Sequence, residues 1–143
     1  MAIFVYIFVA YILKLQNEMT PVYTQEALQK PLWMGISVYG AIYIVSAIAF
    51  VAGYIFFDKS YNSLLTSIKE DSFDSEEERK RNFQAKYTTI MLVSIAIFES
   101  IVVMGLVLFL VTLDLNTMIG LAIVSSVGFF LVMPTKSKFD YHR

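Results

Sequence analysis

The run Tyr87-Thr-Thr-Ile-Met-Leu-Val-Ser-Ile-Ala-Ile-Phe-Glu99-Ser-Ile-Val-Val-Met-Gly-Leu-Val-Leu-Phe-Leu-Val-Thr-Leu113 decides the fold class. A bilayer's hydrocarbon core, about 30 Å thick, needs about 20 apolar residues in helix, and this run exceeds that. Its one acid, Glu99, falls near the middle. An ionisable side chain at that depth costs on the order of 3 kcal/mol by insertion scales, so it is expected to face protein or water and marks a candidate functional site.

Composition agrees with a membrane setting. The chain has 143 residues, 57% of them hydrophobic, and a mean hydropathy of +0.64, far above an ordinary soluble domain. The net charge of −1 hides a segregation, because 13 of the 23 Lys, Arg, Asp and Glu residues fall between Asp58 and Lys86. Acids outnumber bases there, which argues against a nucleic-acid partner. There is no cysteine, so disulfides and thiolate metal centres are excluded. The single histidine, His142, excludes bis-histidine haem ligation within one chain. No cofactor or metal site is expected.

Three more apolar segments flank the deciding run. Ala2 to Leu13 is short for a span and has a signal peptide as its rival reading; the absence of a basic leading region and of a small-x-small cleavage site favours a first helix. Thr20-Pro21 has the pattern of an N-cap with proline at the first helical position, and Pro31 closes that segment as a short interfacial helix. Leu32 to Phe57 forms a second span, with Trp33 and Tyr39 near one end and Tyr54, Phe56 and Phe57 at the other. Thr117 to Met133 is the fourth, entered through the turn Asp114-Leu-Asn116 and ended by Pro134.

The expected fold is therefore an all-α integral membrane protein of about four transmembrane helices, a single domain with spans over about 2–14, 32–57, 88–113 and 117–133. A cytoplasmic helical hairpin over 58–87 extends the second and third spans. Tyr61, Leu64, Leu65 and Ile68 recur at helical spacing, and Ser75-Glu-Glu-Glu78 is a capping-box pattern that starts a long helix carrying Phe83 and Tyr87. Lys and Arg concentrate in 58–86 and in the C-terminal tail, so both termini are expected to be cytoplasmic. Small residues at Ser46, Ala49, Gly53, Gly105, Gly120 and Gly128 are expected to be helix-packing points.

Depth matching across the second and third spans sets Glu99 level with Ser46, with Tyr43 one turn away. Ser46, Tyr43 and Ser100 are the expected hydrogen-bond partners of Glu99. A carboxyl that is neutral in lipid and ionised when water or a cation arrives is what a proton or sodium carrier needs. The competing reading is a protonated carboxyl that only ties two helices together.

Ala96-Ile-Phe98-Glu99-Ser100 followed by Gly105-Leu-Val-Leu108 resembles the ion-carrying helix of the proteolipid, or c-ring, subunits of rotary ATPases. The resemblance implies that Glu99 is the ion-binding carboxylate, that the second span plays the inner helix, and that the chain forms a homo-oligomer or joins a membrane complex. The second span lacks closely repeated glycines, the polar loop has no Arg-Gln-Pro turn, and the spans show no internal duplication. The implied protein keeps the carboxylate helix without being an energy-coupling rotor. The alternative is a non-catalytic membrane subunit or scaffold that docks a partner through 58–87. An enzyme is not expected, since no His cluster, paired intramembrane carboxylates, Ser/His/Asp set or Gly-rich phosphate loop is present.

Overall fold

A computed structural model describes residues 2–16, 20–31, 35–70 and 75–134. Its regular elements are all helices: α1 (Ala2–Leu15), α2 (Gln25–Gln29), α3 (Val38–Glu70), α4 (Glu76–Thr112) and α5 (Leu115–Val132). Three of them, α3, α4 and α5, are long and apolar enough to cross a membrane. At 1.5 Å per residue, α1 with its 14 residues is only about 21 Å long, short of a full hydrocarbon core.

The ends of α4 and α5 follow from local chemistry. Ser75, in extended conformation, accepts the Glu78 amide on its side-chain oxygen at 3.2 Å. Glu76, Glu77 and Glu78 fill the first turn, where the helix dipole favours acids. From there α4 runs 37 residues without a break. It stops at Leu113, whose φ of 57° is left-handed and whose amide donates to Phe109 O at 2.7 Å. Asp114 then caps α5 by accepting the Asn116 and Thr117 amides. Two helices are thus turned back to back within two residues.

The segment expected as an interfacial helix from Thr20-Pro21 starts later. Thr24 is the N-cap, and α2 holds only five residues. The reason is competition: the amides of Val22 and Tyr23 both donate to Val111 O near the end of α4, which holds that stretch out of helix. The second long helix begins at Val38, where the Ser37 hydroxyl accepts the Gly40 amide at 3.1 Å. Residues 32–34 of the expected second span, Trp33 among them, lie outside the described residues.

α4 is the centre of the arrangement. α3 lies antiparallel to it, as Phe57 meets Tyr87 (ring centroids 6.3 Å apart) and Phe50 meets Phe98 (5.4 Å). α5 returns antiparallel along another side of α4. α1 lies against α4 and α5, with Ile3 beside Val102 and Ala122, and Ala10 beside Phe109 and Met118. It therefore runs parallel to α4.

Two kinds of packing divide the length of this bundle. Beyond Phe57, the buried Leu64, Ile68, Phe83 and Tyr87 form one cluster that Tyr61 and Leu65 join, with Phe83 stacked on Tyr87 at 6.0 Å. In an aqueous setting each fully buried side chain there contributes about 1.5–3 kcal/mol. Within the apolar zone small residues set the approach instead, as expected where lipid removes the hydrophobic drive. Gly53 and Gly128 both lie against the fully buried Phe98 ring, each close to Cε1, and Gly105 sits on Leu121. The Ser125 hydroxyl donates to Phe98 O across the α4–α5 contact at 2.7 Å.

Gly120 does not share this role. A Cβ there would meet nothing within 4 Å, because eight residues advance about 80° beyond two full turns and take Gly120 off the face that Gly128 presents. Ala49 packs half-buried against the Phe57–Phe98 cluster, and Ser46 is buried on the same side of α3.

Candidate functional site

Glu99 sits almost midway along the apolar part of α4. Its azimuth is set by the residue before it. Phe98 fills the space against Gly53, Phe50 and Gly128, so Glu99 is turned about 100° further round the helix. That rotation takes it away from α3 and toward α1. The Tyr6 hydroxyl of α1 donates to Glu99 Oε1 at 3.3 Å, the one hydrogen bond of this carboxylate among the described residues.

The three hydroxyls expected around Glu99 lie elsewhere. Ser46 is buried at the α3 side, and its Oγ has no hydrogen-bond partner among the described residues. Tyr43 is half exposed, and its hydroxyl reaches Thr117 Oγ1 at 3.5 Å. Ser100, one more step round α4, is exposed and donates to Ile97 O at 2.7 Å. Depth matching took α3 as the neighbour of Glu99, and a step of one residue on a helix changes which neighbour is met.

Tyr6 was not legible as the partner. Were α1 to begin level with Tyr87, Tyr6 would fall nearer to Met91 than to Glu99. Instead Ile3 already packs beside Val102, so α1 is set deeper along α4 than a span entering at the surface. The only sequence signal was the hydroxyls of Tyr6 and Tyr11 within an otherwise aliphatic and phenylalanine-rich run, and nothing in it chose between the two.

Glu99 also lines a cavity of about 290 Å³ between α1, α4 and α5. Ile3, Ile95 and Phe129 make its walls, and Ser126 contributes a side-chain hydroxyl to the lining. Ser126 already donates to Ala122 O at 2.8 Å within α5. The lining is otherwise apolar, and Phe4 and Phe130, 71% and 72% exposed, flank its outer edge.

A second polar cluster closes the opposite end of α4. Asp114 Oδ2 accepts the Thr117 hydroxyl at 2.7 Å, while Oδ1 accepts the Asn116 and Thr117 amides. Burial pushes this carboxyl up, but the Thr117 hydroxyl and amide, the facing Tyr39 hydroxyl and the Asn116 amide outweigh it and hold Asp114 below the ordinary aspartate range. The Tyr39 hydroxyl is buried and within electrostatic reach of Thr112 and Asp114, yet closes no hydrogen bond of its own. No group of three or more His, Cys, Asp or Glu side chains is placed to hold a metal ion among the described residues.

The fold and site define a small helical chain with one carboxyl set at mid-length in an apolar cavity. No family model, curated protein or solved structure matches it.

Proposed function

We propose that the chain is a small multi-pass membrane protein, proteolipid-like, in which Glu99 takes up and releases a proton within the membrane. The observation that carries this reading is the Tyr6 hydroxyl bond at 3.3 Å to Glu99, a carboxyl that also lines the cavity between α1, α4 and α5. The sequence from Tyr87 to Leu113 contains no Lys, Arg or second acid to neutralise Glu99, so an exchangeable proton is what allows the carboxyl to reside there. The surroundings of Glu99 favour a proton over sodium. One carboxylate and two hydroxyls, Tyr6 and Ser126, each already donating a hydrogen bond, do not make the oxygen cage a sodium ion needs.

Orientation follows from the bases. In this reading the charged ends of α3 and α4 face the cytoplasm, and α1 completes a fourth, shorter membrane element running the same way as α4. α1 supplies inside one chain the contact that a neighbouring copy would supply in a proteolipid ring, so the reading needs no ring. The scaffold alternative loses support from the packing of Leu64, Ile68, Phe83 and Tyr87 against one another, which leaves no apolar face of those residues for a partner.

Labelling with dicyclohexylcarbodiimide in lipid vesicles tests the proposal, since only a protonated, accessible carboxyl reacts. Glu99 should be the modified residue, with a rate that falls as pH rises and no protection by sodium. Absence of modification at Glu99 at every pH at which the protein stays folded would refute it.

A further inference from the structure

We propose that the cavity at Glu99 is a binding site for a lipophilic organic cation, an ammonium group on an apolar body, reached sideways from the hydrocarbon. Three observations carry it. The cavity, about 290 Å³, open on one side and lined mainly by apolar side chains, holds one carboxylate. That is the charge pattern complementary to a ligand with one positive centre and no other polar group. Phe4, Phe129 and Phe130 belong to the same lining, and aromatic faces attract a desolvated ammonium. Finally, the exposure of Phe4 on α1 and Phe130 on α5 sets the mouth on the outer flank of the bundle. A ligand entering there arrives through lipid and not through water.

Glu99 Oε2 accepts no hydrogen bond among the described residues, since Tyr6 is bound to Oε1. A cation can therefore meet the carboxylate without displacing Tyr6. The proton and the ligand compete for the same carboxylate, and in this respect the inference rests on proton exchange at Glu99. From α1, Tyr6 is the titratable group that faces Glu99; from α5 the cavity lining contributes only the non-titrating Ser126, and from α4 no other ionisable side chain. Lower pH should consequently weaken binding through Glu99 itself.

The test uses the full chain in lipid nanodiscs and labelled benzyltrimethylammonium, which keeps its charge at every pH, with empty nanodiscs as the blank. Saturable binding of one cation per chain is expected, weakening as pH falls. Glu99→Gln should reduce affinity about thirtyfold or more, the lower range for removing one member of a buried charge pair. Neopentylbenzene, the uncharged isostere, should compete about tenfold less well or worse. Ser126→Leu fills the cavity while leaving the acid in place, and should weaken cation and isostere alike. It keeps the proposal testable if Glu99→Gln fails to fold. No saturable binding, equal binding by folded Glu99→Gln or Ser126→Leu, or equal competition by the isostere would each overturn the proposal. So would a dimer that must dissociate before the cation binds, because a second copy would then occupy the cavity. Carbodiimide modification of Glu99 without cation binding would sink the ligand proposal and leave proton exchange standing. Cation binding that is insensitive to pH, in a protein whose Glu99 resists the carbodiimide, would sink both.

Discussion

Substituting alanine at Gly128 and at Gly120 places the same methyl group on the same helix in two different surroundings. At Gly128 an ideal Cβ would lie 2.5 Å from Phe98 Cγ and 2.8 Å from its Cε1, against a comfortable carbon separation of about 3.5–4.0 Å. The ring would have to retreat by roughly 1 Å. Its room to do so is small, because it is packed so close to Gly53 that a Cβ there would be 3.0 Å from Cε1, and Phe50 stands 5.4 Å away between centroids. Overpacking of this kind costs about 1–3 kcal/mol. At Gly120 the new methyl meets nothing within 4 Å, so only the helix preference for alanine acts, a gain of about 0.5–1 kcal/mol. That preference is common to both variants and cancels when they are compared. Gly128→Ala should therefore be less stable than Gly120→Ala by about 1–3 kcal/mol, read from reversible unfolding in detergent against increasing dodecyl sulfate. Adding Phe98→Leu should recover part of the loss at Gly128 and none at Gly120. If the two alanine variants agree within about 0.5 kcal/mol, the view of Phe98 as a wedge held by two glycines is wrong.

The turn and the interhelical bond give two further tests. Removing the α5 cap with Asp114→Ala should cost about 1 kcal/mol in the same unfolding assay. Because the folded carboxyl is held below its ordinary range, its contribution is complete above that range and is lost as pH falls through the lowered value; Asp114→Asn should flatten this acid limb. Ser125→Ala, which deletes the 2.7 Å bond to Phe98 O, should cost about 0.6 kcal/mol, the average for such bonds between membrane helices, and a loss indistinguishable from zero would show that the bond carries nothing.

What could be read from the residues was what depends on local chemistry and linear spacing. Ser75 followed by three acids specifies the start of α4, and an unbroken supply of helix formers carries it to Thr112. The spacing of Leu64 and Ile68 specifies a buried face that continues α3 past the apolar zone. Features that depend on azimuth or on distant partners were not legible. Whether α4 shows α3 its Phe98 or its Glu99 is a rotation of about 100°, and a run that is apolar on every side has no periodicity to choose between them. The unwinding of Pro21 to Tyr23 is imposed by a carbonyl at Val111, and nothing in the neighbouring residues announces it. Gly120 and Gly128 are separable by the roughly 80° their spacing advances, but which of the two meets Phe98 depends on how α5 is turned toward α4.

Tyr6 and Glu99 are 93 residues apart in the chain, which has a consequence for the order of assembly. At a synthesis rate of about 5–20 residues per second, α1 leaves the ribosome roughly 5–20 s before the helix it docks on. During that interval neither Val102, Phe109, Met118 nor Ala122, its buried neighbours, has been made. Of the described helices the one made earliest is thus among the last able to find its place, and Glu99 is made before the hydroxyl that will hold it can be positioned.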